Sequence, residues 1–179
     1  MRARLPLRPF EHLESRRFLA ATLVVGNKLT LPDVDGDVVT IALSGPGQLF
    51  QTSGAGGLLF GHLFTQSTTS ASRMSITVRK SGAGDGAVSI GGFTAGAAMG
   101  ALIADRADFS QSISLADLVK DVRVRDLSGL QLTMGGTTGV TKFRARSIVN
   151  SAVVLGERLA SSVTLFDASG ANITVGAIG

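Results

Sequence analysis

The chain has 179 residues and a formal charge of +4, with 44% hydrophobic and 17% charged positions. That length suits a single domain able to bury a sizeable core. Cys, Trp and Tyr are absent, which excludes disulfides, thiolate zinc sites, cysteine nucleophiles and indole or phenol platforms for sugars.

Residues 1–21 form a segment of their own. They hold Arg2, Arg4, Arg8, Arg16 and Arg17 against Glu11 and Glu14, a net +3. Residues 22–179 carry 12 basic and 11 acidic groups, a net +1. The basic balance therefore belongs to the N-terminal segment, and a nucleic-acid reading from charge alone fails. Glu11, His12 and Glu14 interrupt the apolar run that a secretory signal would need. Leu13, Arg17 and Ala20 share one side of a short helix over 10–20, and a leader or loose tail is the simplest reading. No stretch reaches the length of a membrane-spanning helix.

From residue 22 the hydrophobic pattern has period two, as in Val38–Leu43, Met74–Val78, Val122–Val124 and Val163–Leu165. Gly, Ser, Asp and Asn punctuate these runs. Short alternating runs between turn residues read as all-β. Residues 114–120 are the one stretch of the body with room for a turn or two of helix. Residues 22–81 keep irregular spacing and read as an opening hairpin region. Residues 82–179 are regular.

Four successive units carry the regularity. Each opens on an apolar-x-apolar pair: Leu102/Ala104, Val122/Val124, Phe143/Ala145 and Val163/Leu165. A single anchor follows: Phe109, Leu127, Ile148 and Ala168. A second pair closes the unit: Ile113/Leu115, Leu130/Leu132, Val153/Leu155 and Ile173/Val175. A repeat of roughly 20 residues is a solenoid signature. One unit is too short to bury its own apolar face, but stacked units share one core and pair their strands above and below. The expected fold is a β-solenoid, a parallel β-helix, over residues 22–179. An antiparallel β-sandwich is the alternative. The last run, Ile173–Gly179, keeps strand rhythm with no polar cap. An open solenoid end predicts self-association, or joining to a larger assembly, through that coil.

Two stretches resemble known proteins. Phe10, Glu11, Leu13, Glu14, Arg16, Phe18, Leu19 and Ala20 are similar to the leader, roughly Phe-Glu-x-Leu-Glu-x-Arg, of many planctomycete extracellular proteins. Val34–Gly47, Ser75–Val78 and Gly84–Gly91 resemble a β-solenoid region of large surface proteins of the same group. The resemblance implies a bacterial, exported, cell-surface protein with a structural or adhesive role. It supplies no catalytic residues.

Three constellations remain as candidate sites. Asp33, Asp35 and Asp37 alternate and could offer oxygens to Ca²⁺. They are not an EF-hand, because Val38 and Ser44 stand where its Gly and Glu belong. The competing reading is a tight Asp-Gly turn between strands. Gly82-Ala-Gly84-Asp85-Gly86 precedes a strand rather than a helix, so it is a glycine turn and not a dinucleotide fingerprint. Arg123, Arg125, Arg144 and Arg146 fall in matching outward columns of neighbouring units, with Arg106, Lys120 and Lys142 close by. Asp105, Asp121 and Asp126 offset part of that charge. Such a ladder suits an anionic polymer such as a sulfated or uronate polysaccharide, or it is a solvated face that discourages association.

The expected function is a non-enzymatic structural or adhesive surface module. The alternative is a glycan-active solenoid lyase or hydrolase using clustered carboxylates such as Asp105 and Asp108. His62, the lone body histidine, lies among apolar residues and reads as structural. Asn172-Ile-Thr174 matches a glycosylation sequon by coincidence.

Overall fold

A computed structural model describes residues 22–23, 27–53, 59–134, 142–155 and 162–175. The leader motif and the possible helix over 10–20 lie outside the described residues. Six strands make up the opening region: β1 (Thr22–Leu23), β2 (Lys28–Pro32), β3 (Val38–Ser44), β4 (Gln48–Ser53), β5 (Phe60–Gln66) and β6 (Arg73–Arg79). Eight more follow: β7 (Val88–Ala95), β8 (Met99–Leu115), β9 (Val119–Ser128), β10 (Gln131–Met134), β11 (Lys142–Val149), β12 (Ala152–Leu155), β13 (Ser162–Ser169) and β14 (Asn172–Val175). Among the described residues there is no α-helix. The stretch 114–120, where a helical turn had room, is the end of β8, a bend and the start of β9. Val119 is fully buried there, which a strand entering the next coil achieves and an isolated turn would not.

The fold is a β-solenoid of about four turns of stacked parallel coils. On one flank β6, β8, β9, β11 and β13 pair in parallel, in that order. On the other, β5, β7, β8, β10, β12 and β14 do the same. β8 is long enough to serve both flanks. This parallel register rules out the antiparallel sandwich for the described strands from β7 to β14.

Three apolar columns run the length of the core. Met74, Leu102, Val122, Phe143 and Val163 are stacked neighbours. Phe60, Ile90, Phe109, Leu127, Ile148 and Ala168 form the second column. Leu63, Phe93, Ile113, Leu132, Val153 and Ile173 form the third. The unit register expected from spacing holds for the first pairs and the anchors.

The closing pair of one unit is corrected. Leu132 and Met134, not Leu130 and Leu132, lie opposite Ile113 and Leu115. The cause is the corner before β10. Gly129 takes φ +63, Leu130 turns inward at the bend, and the alternation restarts with the strand at 131. The same corner recurs in the next coils at Asn150 (φ +47) and Gly170 (φ +62). A left-handed residue is needed at this place, and Gly or Asn supplies it most cheaply.

The opening region reverses direction instead of coiling. β2 pairs β3, β3 pairs β6 and β4 pairs β5, all antiparallel. β5 and β6 then hand over to the parallel stack. At the far end β13 pairs only β11, and β14 only β12, among the described residues. Phe143 is 1% exposed, yet Val163, one step along the same column, is 39% exposed. Among the described residues no strand pairs the far side of β13, which accounts for the difference.

Candidate functional site

The four ladder arginines alternate with inward residues. Val122 and Val124 on β9, and Phe143 and Ala145 on β11, are buried, so Arg123, Arg125, Arg144 and Arg146 face outward. Arg144 lies directly opposite Arg123 in the parallel register. The ladder expected from the sequence is thus assembled on one flank. Its electrostatics are less simple than its placement.

Three of the four guanidiniums are engaged by carboxylates. Arg123 donates to both oxygens of Asp121, two positions back on its own strand, with Nη2 2.7 Å from Oδ2. Arg146 donates through Nε and Nη2 to both oxygens of Asp126, on the neighbouring strand. Arg125 donates through Nη1 to Asp108 Oδ2 at 3.2 Å, and its Nε lies 3.8 Å from Asp126. Arg144 has no carboxylate partner among the described residues. Its guanidinium instead lies over the Phe166 ring, 5.4 Å from the centroid.

Asp108 is the unusual acid of this face. One oxygen meets Arg125, but Oδ1 is buried and meets no donor. Burial pushes its carboxyl up to about 6 against the pull of Arg125, with Asp126 and Asp85 adding repulsion and Arg146 opposing it. Asp108 reaches Arg125 because two extra residues bulge from β8: Ala104 lies opposite Val124, but Asp108 lies opposite Asp126. Asp105, in that bulge, is exposed. The two carboxylates of the enzyme alternative therefore sit in different settings, one in water and one half-buried.

Two shallow cavities flank Arg146. One, of about 360 Å³, is lined by Asp85, Gly86, Asp105, Arg106, Arg125 and Arg146. Arg106 is held there by donating to the Gly86 carbonyl at 3.1 Å. The other, of about 350 Å³, is lined by Asp105, Val124, Arg144, Arg146 and Phe166. Three guanidiniums and two carboxylates line the first. The second has two guanidiniums against one carboxylate, together with an aromatic ring. Phe166 is 66% exposed. It was not singled out from the sequence, although its outward place two residues beyond Thr164 in the alternation was there to be read.

The aspartate trio at the opening turn does different work. Asp33, Asp35 and Asp37 each bring a carboxylate oxygen within 4.8 Å of the others. Backbone donors already occupy much of this oxygen set. Asp33 Oδ1 accepts from Asp35 and Asp37. Asp35 Oδ2 accepts from the Asp85 N–H at 2.9 Å. Asp37, fully buried, accepts from Ser81 and Gly86, both at 2.6 Å. A side chain at Gly84 would collide with the Asp37 carboxylate. The turn thus clasps the glycine loop 81–86, and an ion would have to compete with these N–H groups. Partial burial and the neighbouring Asp35 raise the Asp33 carboxyl, whereas the hydrogen bond from Asp33 lowers that of Asp35.

His62 packs over Gly92 and bonds Thr94 Oγ1 through Nε2 at 2.8 Å. Burial lowers its imidazole below the ordinary value, so it is neutral near pH 7. No carboxylate orients it among the described residues. Compared with known proteins, the chain matches no family model, no curated protein and no solved structure.

Proposed function

We propose that the chain is a non-enzymatic structural or adhesive module of a bacterial cell surface that contacts anionic polymers through its arginine-bearing flank. The observation that carries this reading is Arg144. It stands opposite Arg123, exposed, with an aromatic ring and, among the described residues, no carboxylate for a partner. Lys142 on the same strand is also exposed. The intramolecular pairs of Arg123 and Arg146 are partly exposed. Such pairs are worth about 0–1 kcal/mol, so a polyanion can draw on them at small cost. Assembly with a second copy or a larger structure would use the outer edge of β13, whose strand carries one charge, Asp167. The leader resemblance supports export.

Retention on immobilised dextran sulfate at low ionic strength tests the reading. Wild type should be retained and elute with rising salt. Arg144→Ala should elute at clearly lower salt, and Arg123→Ala by a smaller margin. Passage of the wild-type protein without retention would sink it.

A second reading draws on Asp108. A half-buried carboxyl held near pH 6 is suited to protonating a glycosidic oxygen. Release of reducing ends from uronate polysaccharides, abolished by Asp108→Asn, would favour the enzyme.

A further inference from the structure

We propose that the cavity bounded by Asp105, Arg144, Arg146 and Phe166 is a subsite for one anionic sugar unit, so that the polymer on this flank is a charged polysaccharide. This rests on the polyanion reading above and narrows it. A row of cations alone would take any polyanion, whether acidic peptide, polyphosphate or glycan. The cavity adds two groups that a bare row does not have.

The first is Phe166. It stands on β13, next to Arg146 by the register that pairs Ala145 with Leu165 and Ser147 with Asp167. Two-thirds of it is open to water, and Arg144 lies over the ring. An exposed ring beside guanidiniums suits a ligand with a C–H face as well as a charge, and a pyranose has both. A carboxylate-bearing peptide backbone or a phosphate chain offers no such face at fixed distance from its charge.

The second is Asp105. It is exposed, borders the same cavity and has no hydrogen-bond partner among the described residues. A carboxylate here repels a ligand that carries charge at every position. It accepts hydrogen bonds from a ligand that alternates charge with hydroxyls. Sugars bearing one sulfate or carboxylate beside free hydroxyls fit that pattern.

The dimensions agree. Arg144 and Arg146 are two residues apart on one strand, about 7 Å, and the next strand lies about 4.8 Å away. That frame and the 350 Å³ cavity fit a single ring rather than a longer segment. Phe166 would take the ring face, Arg144 and Arg146 the anionic group, and Asp105 a hydroxyl.

The test measures binding of two charged probes, a lightly sulfated dextran and polyphosphate, at fixed pH and ionic strength. Phe166→Ala is expected to weaken the dextran about three- to tenfold and to leave polyphosphate within twofold. Phe166→Tyr keeps the ring and should bind both as wild type. Arg144→Ala should weaken both probes. Equal loss of both probes in Phe166→Ala, or loss of neither, would overturn the sugar subsite while leaving the polyanion reading intact. Failure of the wild-type protein to bind either probe would overturn the polyanion reading itself. Unchanged thermal unfolding of Phe166→Ala checks that the exposed ring is not needed for folding.

Discussion

The opening strands and the stacked coils are held together by different chemistry. Between residues 28 and 86 the chain reverses direction, and three carboxylates gather the backbone N–H groups of Asp35, Asp37, Ser81, Asp85 and Gly86. Beyond residue 99 the described strands pair coil to coil instead, with Ser151 accepting from the Leu130 N–H at a corner. Each interior coil finds its backbone partners on the coils above and below, and like apolar residues repeat at 4.8 Å steps. Where a chain coils, translation satisfies the backbone. Where it turns back, side chains must do so locally.

Position in the stack should outweigh residue type within the coils. Phe143→Ala removes a ring enclosed by coils on both sides and should cost about 3–5 kcal/mol in denaturant unfolding. Val163→Ala, in the same column at the open end, should cost under about 1 kcal/mol. Comparable losses at the two places would mean that something covers the last coil. A loss at Val163 that grows with protein concentration would identify that cover as a second copy.

In the opening region the vulnerable group is polar. Asp37→Ala removes the acceptor of the Ser81 and Gly86 N–H groups, the second of them buried, and should cost about 1–3 kcal/mol, with early exchange of both amides. If the coils also lose protection at once, the two regions unfold as one unit. Repeating the melt with millimolar Ca²⁺ separates clasp from metal site. Wild type should melt at an unchanged temperature. A rise of several degrees, abolished by Asp35→Asn, would show that Asp33 and Asp35 take the ion.

The smallest effect concerns Asp108 and depends on pH. Its folded carboxyl titrates near 6, above the unfolded value of about 3.9. Between these values the folded state binds the extra proton, so this group's contribution is full below pH 4 and is lost as pH rises through 6. Asp108→Asn should therefore raise the melting temperature modestly at pH 7.5 and leave it unchanged near pH 3.5. A variant destabilised at pH 7.5 would show that the Arg125 pair outweighs the burial of Asp108.

The coils were legible because two periods coincide in the sequence, an alternation within strands and a spacing of 20 or 21 between them. Leu102, Val122, Phe143 and Val163 announce one column by themselves. Leu130 misled because a buried corner residue has the same polarity as a strand residue, and only the φ of Gly129 separates them. The arginine flank was legible as geometry but not as charge. Asp121 beside Arg123 follows from alternation. The Asp108–Arg125 pair depends on a bulge that shifts the register by two, which spacing does not reveal. The clasp from Asp37 to Ser81 and Gly86 joins turns 44 and 49 residues apart. Each of those turns reads as complete when taken alone.

The corner column of Gly129, Asn150 and Gly170 acts as a ruler on chain length. Each coil that passes it advances the structure by one strand spacing and returns the chain to the same angular position. The stack can then be extended in whole coils. An inserted stretch of 20 or 21 residues with Gly or Asn at the corner would leave both ends of the molecule unchanged and add one rung to the arginine flank. An insertion of one or two residues can instead bulge from a strand, as in β8, and leave the later columns in place. On the polyanion reading, each added coil would lengthen the reach of this flank by one strand spacing.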